Sequence, residues 1–329
     1  MEPLDMVVIG AGPCGLAVGA AARESGMRAV LFDKGCITSS IVDYPYYMRF
    51  FSTADRLEIG RIPFAIPENQ PSRREALVYY RRVVQHFGLD VRQYQEVEEV
   101  SGTAGSFSVK TRKRWGKEEV FEASAVVVAT GGFHSPNLLH VPGEDLPKVF
   151  HYYREPYPFF DQDVLVVGGG NSAVEAALEL FRAGARVSLV HFGDWLDKGV
   201  KPWVVPDISN RLERGEITVY WEHRVEEIRT EGVVLKDVTT DATLEIDNDW
   251  VLAMTGWKAN PALLASFGVR VDPETGIPNH DPDTMETNVP GVFIAGVLAA
   301  GNNANKIFIE NGRAHGGQIV RALRESAQG

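Results

Sequence analysis

Gly10, Gly12 and Gly15 stand at the spacing G-x-G-x-x-G, directly after the apolar run Met6-Val-Val-Ile9. Gly168, Gly170 and Ala173 repeat that spacing after Val164-Leu-Val-Val167, with alanine in the last place. Each run leads into an alanine-rich stretch, so each reads as strand, tight turn and helix. A phosphate binds where backbone N–H groups converge on a helix N-terminus. There Gly10 permits the turn, Gly12 lets the backbone approach a pyrophosphate, and Gly15 lets helix and strand pack closely. Gly168, Gly170 and Ala173 take the same three roles, with Asn171 and Ser172 opening the helix. Two such loops in one polypeptide point to two dinucleotides, and so to hydride or electron traffic between them. The first loop also carries a reactive side chain, Cys14, between Pro13 and Gly15. A helix N-terminus favours its thiolate. A neighbouring pyrophosphate opposes it, and the sequence leaves that balance open.

The surrounding elements have to place these groups. Residues 14–25 read as a helix ended by Gly26, and Ala29–Phe32 as the next strand, running into Asp33 and Lys34. An acidic residue about 20 positions past the glycines suits a ribose 2′-OH, which fits the adenosine half of FAD. In the second half, helix 172–183 ends at Gly184 and strand Val187–Val190 leads to His191, with no carboxylate until Asp194. A missing carboxylate avoids repelling a 2′-phosphate and favours NADPH. Phe192, not arginine, follows, which leaves Lys198 and Lys201 to reach that phosphate. Ser72-Arg-Arg-Glu75 reads as a capping box for helix 73–86. Phe107–Thr111 and Glu119–Phe121 read as a hairpin, and Val91, Val97 and Val100 mark short strands. Two further strands end alike, in Ala129-Thr130-Gly131 and in Met254-Thr255-Gly256. A last strand ends at Ala295-Gly296, with Asn302–Asn305 as caps for a final helix toward Ser326. The expected fold class is α/β: two Rossmann-like dinucleotide-binding domains of the three-layer ββα type. The FAD domain takes residues 1–156 and 281–329, and the NAD(P)H domain, residues 157–280, is inserted into it.

The chain has 329 residues, 44% of them apolar, and a formal net charge of −11. An acidic balance argues against nucleic acid, whose phosphates need a basic face. No apolar run is long enough to span a membrane, and the acidic start does not read as a signal peptide. The two cysteines, Cys14 and Cys36, form no C-x-x-C pair, which removes a dithiol motif and a zinc ribbon; no metal site is expected. The expected setting is the cytoplasm, as a homo-oligomer.

The paired fingerprints, the two Thr-Gly strand ends and Ala295-Gly296 resemble the thioredoxin-reductase-like pyridine nucleotide flavoproteins. A narrower set resembles the bacillithiol disulfide reductase family over nearly the whole chain. It consists of Gly12-Pro-Cys14-Gly15, Phe50-Phe51-Ser52, Ala76-Leu-Val-Tyr-Tyr80-Arg81, Leu146-Pro-Lys-Val-Phe-His151-Tyr152, Phe160-Asp-Gln-Asp163, Lys201-Pro-Trp203 and Ile307-Phe-Ile-Glu-Asn-Gly312. The resemblance implies FAD in the first domain, NADPH in the second, and reduction of a low-molecular-weight thiol disulfide with Cys14 as thiol participant. It also implies cofactor contacts at Ser52, Val97, Gly131, Gly256, Gly296 and Val297. Arg49, Arg73, Arg74 and Lys201 are candidates for the carboxylates of an acidic thiol. The chain departs from the wider pattern in lacking C-x-x-C, in carrying Val297 where an aspartate holds the flavin ribityl chain, and in Phe192. A ferredoxin or flavodoxin NADP reductase is the alternative, and a non-catalytic flavin redox sensor the second. The F-x-G-x-x-x-H motif of flavin monooxygenases fails, because the Phe and Gly places before His151 hold Asp145 and Pro147.

Overall fold

The computed structural model describes residues 4–303 and 306–326, which divide into two compact units. The first comprises residues 1–43, 47–135 and 257–329, and the second residues 44–46 and 136–256. The expected cuts at 157 and 280 thus differ from the observed ones at 136 and 256. The proline-rich stretch after Pro136 packs within the second unit. Its Leu139, Val141, Leu146 and Val149 cover apolar side chains of that unit's core.

In the first unit, strands β1 (Leu4–Ile9), β2 (Ala29–Asp33), β3 (Asp90–Gln93), β4 (Gln95–Thr103), β5 (Ser106–Lys113), β6 (Glu118–Val128) and β15 (Val292–Ile294) form one sheet. The order is β3-β2-β1-β6-β5-β4, with β15 also on β6. β6 serves two partners because it is long. Its first half pairs antiparallel with β5 (Arg112 opposite Glu118), and its second half pairs parallel with β1 and β15. Met6, Val7, Val126 and Val127 are fully buried, as a strand covered on both faces requires. Helix α1 (Pro13–Glu24) follows β1, and its Gly15–Ala20 run is buried. Helices α2 (Ser39–Val42), α3 (Arg73–Phe87), α6 (Ala262–Ser266), α7 (Ile309–Gly312) and α8 (His315–Ser326) complete the unit. The Ser72 capping box is present: the Glu75 N–H donates to Ser72 Oγ and the Ser72 N–H to Glu75 Oε2. A cap of this kind contributes about 1 kcal/mol. Gly88 ends α3 in the left-handed region at φ 57°. Asn302 does not cap the last helix; it donates to the Glu274 carbonyl. Asn305 lies outside the described residues.

In the second unit, β7 (Val149–Phe150), β8 (Asp163–Val167), β9 (Arg186–His191), β10 (Thr218–Trp221) and β14 (Trp250–Ala253) form an all-parallel sheet in the order β10-β9-β8-β14-β7. An antiparallel sheet of β11 (His223–Ile228), β12 (Gly232–Asp237) and β13 (Thr243–Asp247) accompanies it. Helix α4 (Asn171–Arg182) follows β8, and α5 (Val205–Glu213) precedes β10. β11 and α5 are absent from the sequence reading. In both units the sheet order reverses beside the strand that leads into the glycines: between β1 and β6, and between β8 and β14. Open α/β sheets bind ligands at the carboxyl ends of the strands at such a reversal.

Candidate functional site

The two glycine loops are built on one hydrogen-bond plan. The Gly10 N–H donates to the Phe32 carbonyl at 2.6 Å, and the Gly168 N–H to the Val190 carbonyl at 3.0 Å. The residue after the neighbouring strand closes each loop from the other side: Ala129 N–H to Ile9 at 2.7 Å, Met254 N–H to Val167 at 2.9 Å. Gly10 has φ +109° and Gly168 φ +134°, which side chains rarely adopt. A Cβ on Gly10 would lie 2.3 Å from the Ala129 oxygen, and one on Gly168 2.5 Å from the Met254 oxygen. Gly15 is excluded from change for another reason, since its Cβ would sit 2.0 Å from the Gly10 oxygen.

Gly12 is the exception. It precedes α1 with φ −73° and ψ 175°, ordinary extended backbone, and nothing lies within 4 Å of where its Cβ would be. Among the described residues, no side chain caps this helix start. Pro13 occupies the first turn, where no N–H partner is needed. An uncapped helix start, behind a glycine with open space where its Cβ would be, fits the pyrophosphate of FAD. Asp33, at the end of β2, accepts the Ala11 N–H and the Gly35 N–H, both at 2.8 Å. Its carboxylate, expected as a partner for a ribose 2′-OH, therefore also shapes the glycine loop. Lys34 is exposed beside it. Gln93 and Tyr94 bond the loop after Asp33 through Ile37 and Gly35, which sets the start of β4 next to it. Val97 is buried in that strand, opposite Thr111. Thr130 and Gly131 follow Ala129, with Thr130 Cα 3.2 Å from the Gly10 Cβ position. Ser52 is half-buried in a bend.

Cys14 meets the end of the last strand. A Cβ on Gly296 would lie 3.0 Å from its sulfur, and one on Gly312 2.9 Å from it. The two glycines form a slot filled by the thiol. Cys14 keeps part of its surface open, yet burial pushes the thiol up to about 12. Desolvation is the cause, and it favours the protonated thiol. The Gly296 N–H donates to His315 Nδ1 at 3.1 Å, placing that ring's proton on Nε2. Burial, with His280 nearby, holds His315 below the usual histidine range, which favours the neutral ring. Val297 is half-buried after Gly296 and offers no hydroxyl partner. Two of the proposed carboxylate binders bond backbone instead: Arg73 donates to the Ile41 and Val42 carbonyls, and Arg49 to that of Gln70.

At the second loop the last residue of β9 behaves differently from Asp33. His191 is 5% exposed, and its ring lies against Gly169, where a Cβ would be 2.7 Å from three ring atoms. Its Nδ1 is buried with no hydrogen-bond partner among the described residues, and its Nε2 is 3.5 Å from Asp197 Oδ1. Burial pulls its pKa down, against the pull of Asp197. The Asp197 N–H bonds the Gly169 carbonyl. Asn171 ties the helix start to the same segment, donating to Gly199 and accepting from the Lys201 N–H, both at 2.9 Å. Gly170 has open backbone apart from Asp197 at 3.2 Å from its Cβ position; Ser172 and Ala173 follow in the first turn. Thr255-Gly256 is clamped by Asn137, which donates to the Thr255 carbonyl while the Gly256 carbonyl accepts the Asn137 N–H. The sequence reading missed Asn137, hidden in the proline-rich connection, as well as Asp197 and His315.

Helix α4 carries a further titratable group. Glu175 is pushed up to about 7, chiefly by burial and next by Glu179, against Lys201. A carboxyl raised in the folded state binds its proton more tightly there than when unfolded. Its contribution to stability is therefore lost as pH rises from the ordinary carboxylate range to about 7. Glu175→Gln is expected to raise the melting temperature at about pH 8 by about 2 °C or more and to leave it unchanged near pH 4. Thermal unfolding at both pH values checks this; an equal shift at both would remove the ionisation as cause.

These paired loops and sheets define a two-domain dinucleotide flavoprotein fold of the thioredoxin-reductase type. The family model for pyridine nucleotide-disulphide oxidoreductases matches residues 7–296, and the chain belongs to that family. It is a flavin-dependent oxidoreductase that works with a pyridine nucleotide. Bacilliredoxin reductase Bdr of Bacillus subtilis is 44% identical over 318 residues, 96% of each chain. The bacillithiol disulfide reductase of Bacillus cereus superposes with a TM-score of 0.96 at 42% identity, covering 99% of this chain and 100% of that one. The bacillithiol disulfide reductase of Staphylococcus aureus gives 0.93 at 39% identity, covering 99% of both. Among the described residues, no helix is long and apolar enough to cross a membrane.

Proposed function

We propose that the chain reduces bacillithiol disulfide at the expense of NADPH, as a homo-oligomer in the cytoplasm. The observation that carries this is the pairing of two dinucleotide loops of one plan with only two cysteines, both free and neither in a C-x-x-C. A reductase without a dithiol relay delivers electrons to a small disulfide that reaches the flavin itself. Full-length likeness to bacillithiol disulfide reductases supports the identity of that disulfide. Bound together, the two cofactors supply hydride acceptance and onward transfer of an electron pair to sulfur. The protein's part is positional. Backbone N–H groups at the start of α1 hold the FAD pyrophosphate, Asp33 fixes the loop that presents them, and the loop at Gly168–Gly170 does the same for NADPH.

Cys14 is the thiol we assign to the disulfide. Attack by its sulfur would break the substrate S–S bond, pass the thiol proton to the departing bacillithiol and leave a mixed disulfide, which two electrons from the bound cofactors and two protons would cleave to a second bacillithiol and the Cys14 thiol. Cys14→Ala is expected to retain FAD and its reduction by NADPH, and to lose disulfide turnover by at least about tenfold. Full turnover by this variant would leave Cys14 as a packing residue in the Gly296–Gly312 slot. The substrate is tested by steady-state NADPH oxidation with bacillithiol disulfide, glutathione disulfide and ferredoxin in parallel. Preference for bacillithiol disulfide is expected. Preference for ferredoxin would make the chain a ferredoxin NADP reductase, and background rates with all three would make it a flavin sensor.

A further inference from the structure

We propose that Arg224, held over the ring of Phe192, reads the 2′-phosphate of NADPH in this chain. The inference rests on the second loop being the NADPH site, and it names the residue that sets the choice of nucleotide there.

In a fold of this kind the residue at the end of the second strand lies beside the adenosine ribose. Here that strand is β9, which ends at His191, and His191 cannot serve the phosphate. Its ring is buried against Gly169, and burial disfavours its charged form. The next residue, Phe192, carries no charge but is 56% exposed. The charge comes from another strand. β10 runs parallel to β9 in a register that sets Trp221 opposite His191, so both strands end at the same edge of the sheet. The chain then turns at Glu222, whose φ is +56° and whose N–H donates to the Gly193 carbonyl at 3.0 Å. That bond fastens the turn to the Phe192–Gly193 segment. Two residues on, the Arg224 guanidinium carbon lies 4.8 Å from the centre of the Phe192 ring.

Arg224 is exposed and makes no ion pair among the described residues. In a chain with 44 acidic and 33 basic residues, where Arg112, Arg186, Arg211 and Arg229 are all paired with carboxylates, an unpaired arginine at the sheet edge is available to an external anion. Stacking on an aromatic face leaves the edge of the guanidinium, with its N–H fork, free to meet phosphate oxygens. A forked donor matches a phosphate better than an ammonium does. Lys198, exposed in the same loop region, is the competing candidate.

The test measures nucleotide binding, not turnover. NADP+, adenosine 2′,5′-bisphosphate, NAD+ and 5′-AMP are titrated calorimetrically into the FAD-loaded protein and its Arg224→Ala, Arg224→Lys and Lys198→Ala variants. Arg224→Ala is expected to weaken the two 2′-phosphorylated ligands by about five- to thirtyfold, a range set by exposure at one end and a forked contact at the other. NAD+ and 5′-AMP should change less than about twofold, and Arg224→Lys should recover part of the loss. A loss in Lys198→Ala but not in Arg224→Ala would overturn the assignment. So would a loss shared equally by phosphorylated and unphosphorylated ligands. If the wild type binds none of the four, the second loop is not a dinucleotide site, a failure distinct from a misassigned arginine.

Discussion

Gly12→Ala is expected to fold and to emerge from purification without its flavin. The new methyl group would meet no protein atom within 4 Å, and the backbone there, at φ −73° and ψ 175°, suits alanine. Replacing glycine at such a position restricts the unfolded chain and stabilises by up to about 1 kcal/mol. The methyl would instead occupy the space through which the pyrophosphate reaches the N–H groups of α1. Losing one charge-assisted hydrogen bond of about 1.5–3 kcal/mol weakens FAD by about ten- to a hundredfold. Gly10→Ala, two residues away, should fail for the opposite reason. Its φ of +109° disfavours any side chain, and its methyl would overlap the Ala129 oxygen at 2.3 Å. Backbone strain of this kind costs about 1–3 kcal/mol before the overlap is counted. The FAD-to-protein ratio and the thermal unfolding of the flavin-free proteins separate the two cases. A Gly12→Ala protein as yellow as the wild type would show that this space does not receive the cofactor.

Gly169→Ala should disable the second loop, and a second substitution should repair it. The added methyl would lie 2.7 Å from three atoms of the His191 ring, which is 5% exposed. Overpacking of this sort costs about 1–3 kcal/mol. We expect the loss in unfolding free energy, together with at least about tenfold weaker NADPH binding, in the single variant, with FAD content unchanged. The double variant Gly169→Ala, His191→Ala should regain most of the stability, giving a coupling energy of opposite sign to the single loss. Additive losses in the two variants would show that the ring does not press on Gly169.

The difference between the two loops also shows how much of the site was legible in the sequence. Gly10 and Gly168 announced themselves because only glycine tolerates their backbone angles and the carbonyls beside them. The Ser72–Glu75 box was equally plain, since both halves of a reciprocal cap lie three residues apart. Asp33 stood where an acidic residue was expected, but its bonds to Ala11 and Gly35 depend on a loop path that spacing does not encode. Helix α5 escaped notice because Pro206 near its start looks like a break, although proline is tolerated in a first turn. The unit boundary near Pro136 was hidden because the connection joins the second sheet through two residues only, Val149 and Phe150. Local patterns cannot reveal pairs made across the chain. The contacts of His191 with Gly169 and of Arg224 with Phe192 are of that kind.

The most direct measurement is an anaerobic one. The purified yellow protein is mixed with one equivalent of NADPH, and its flavin absorbance is followed before and after addition of bacillithiol disulfide. Bleaching by NADPH, then return of the colour with two thiols formed per flavin, is the expected result. A protein that stays yellow with NADPH, or that bleaches and is not reoxidised by the disulfide, would contradict the assignment of this chain as an NADPH-dependent bacillithiol disulfide reductase.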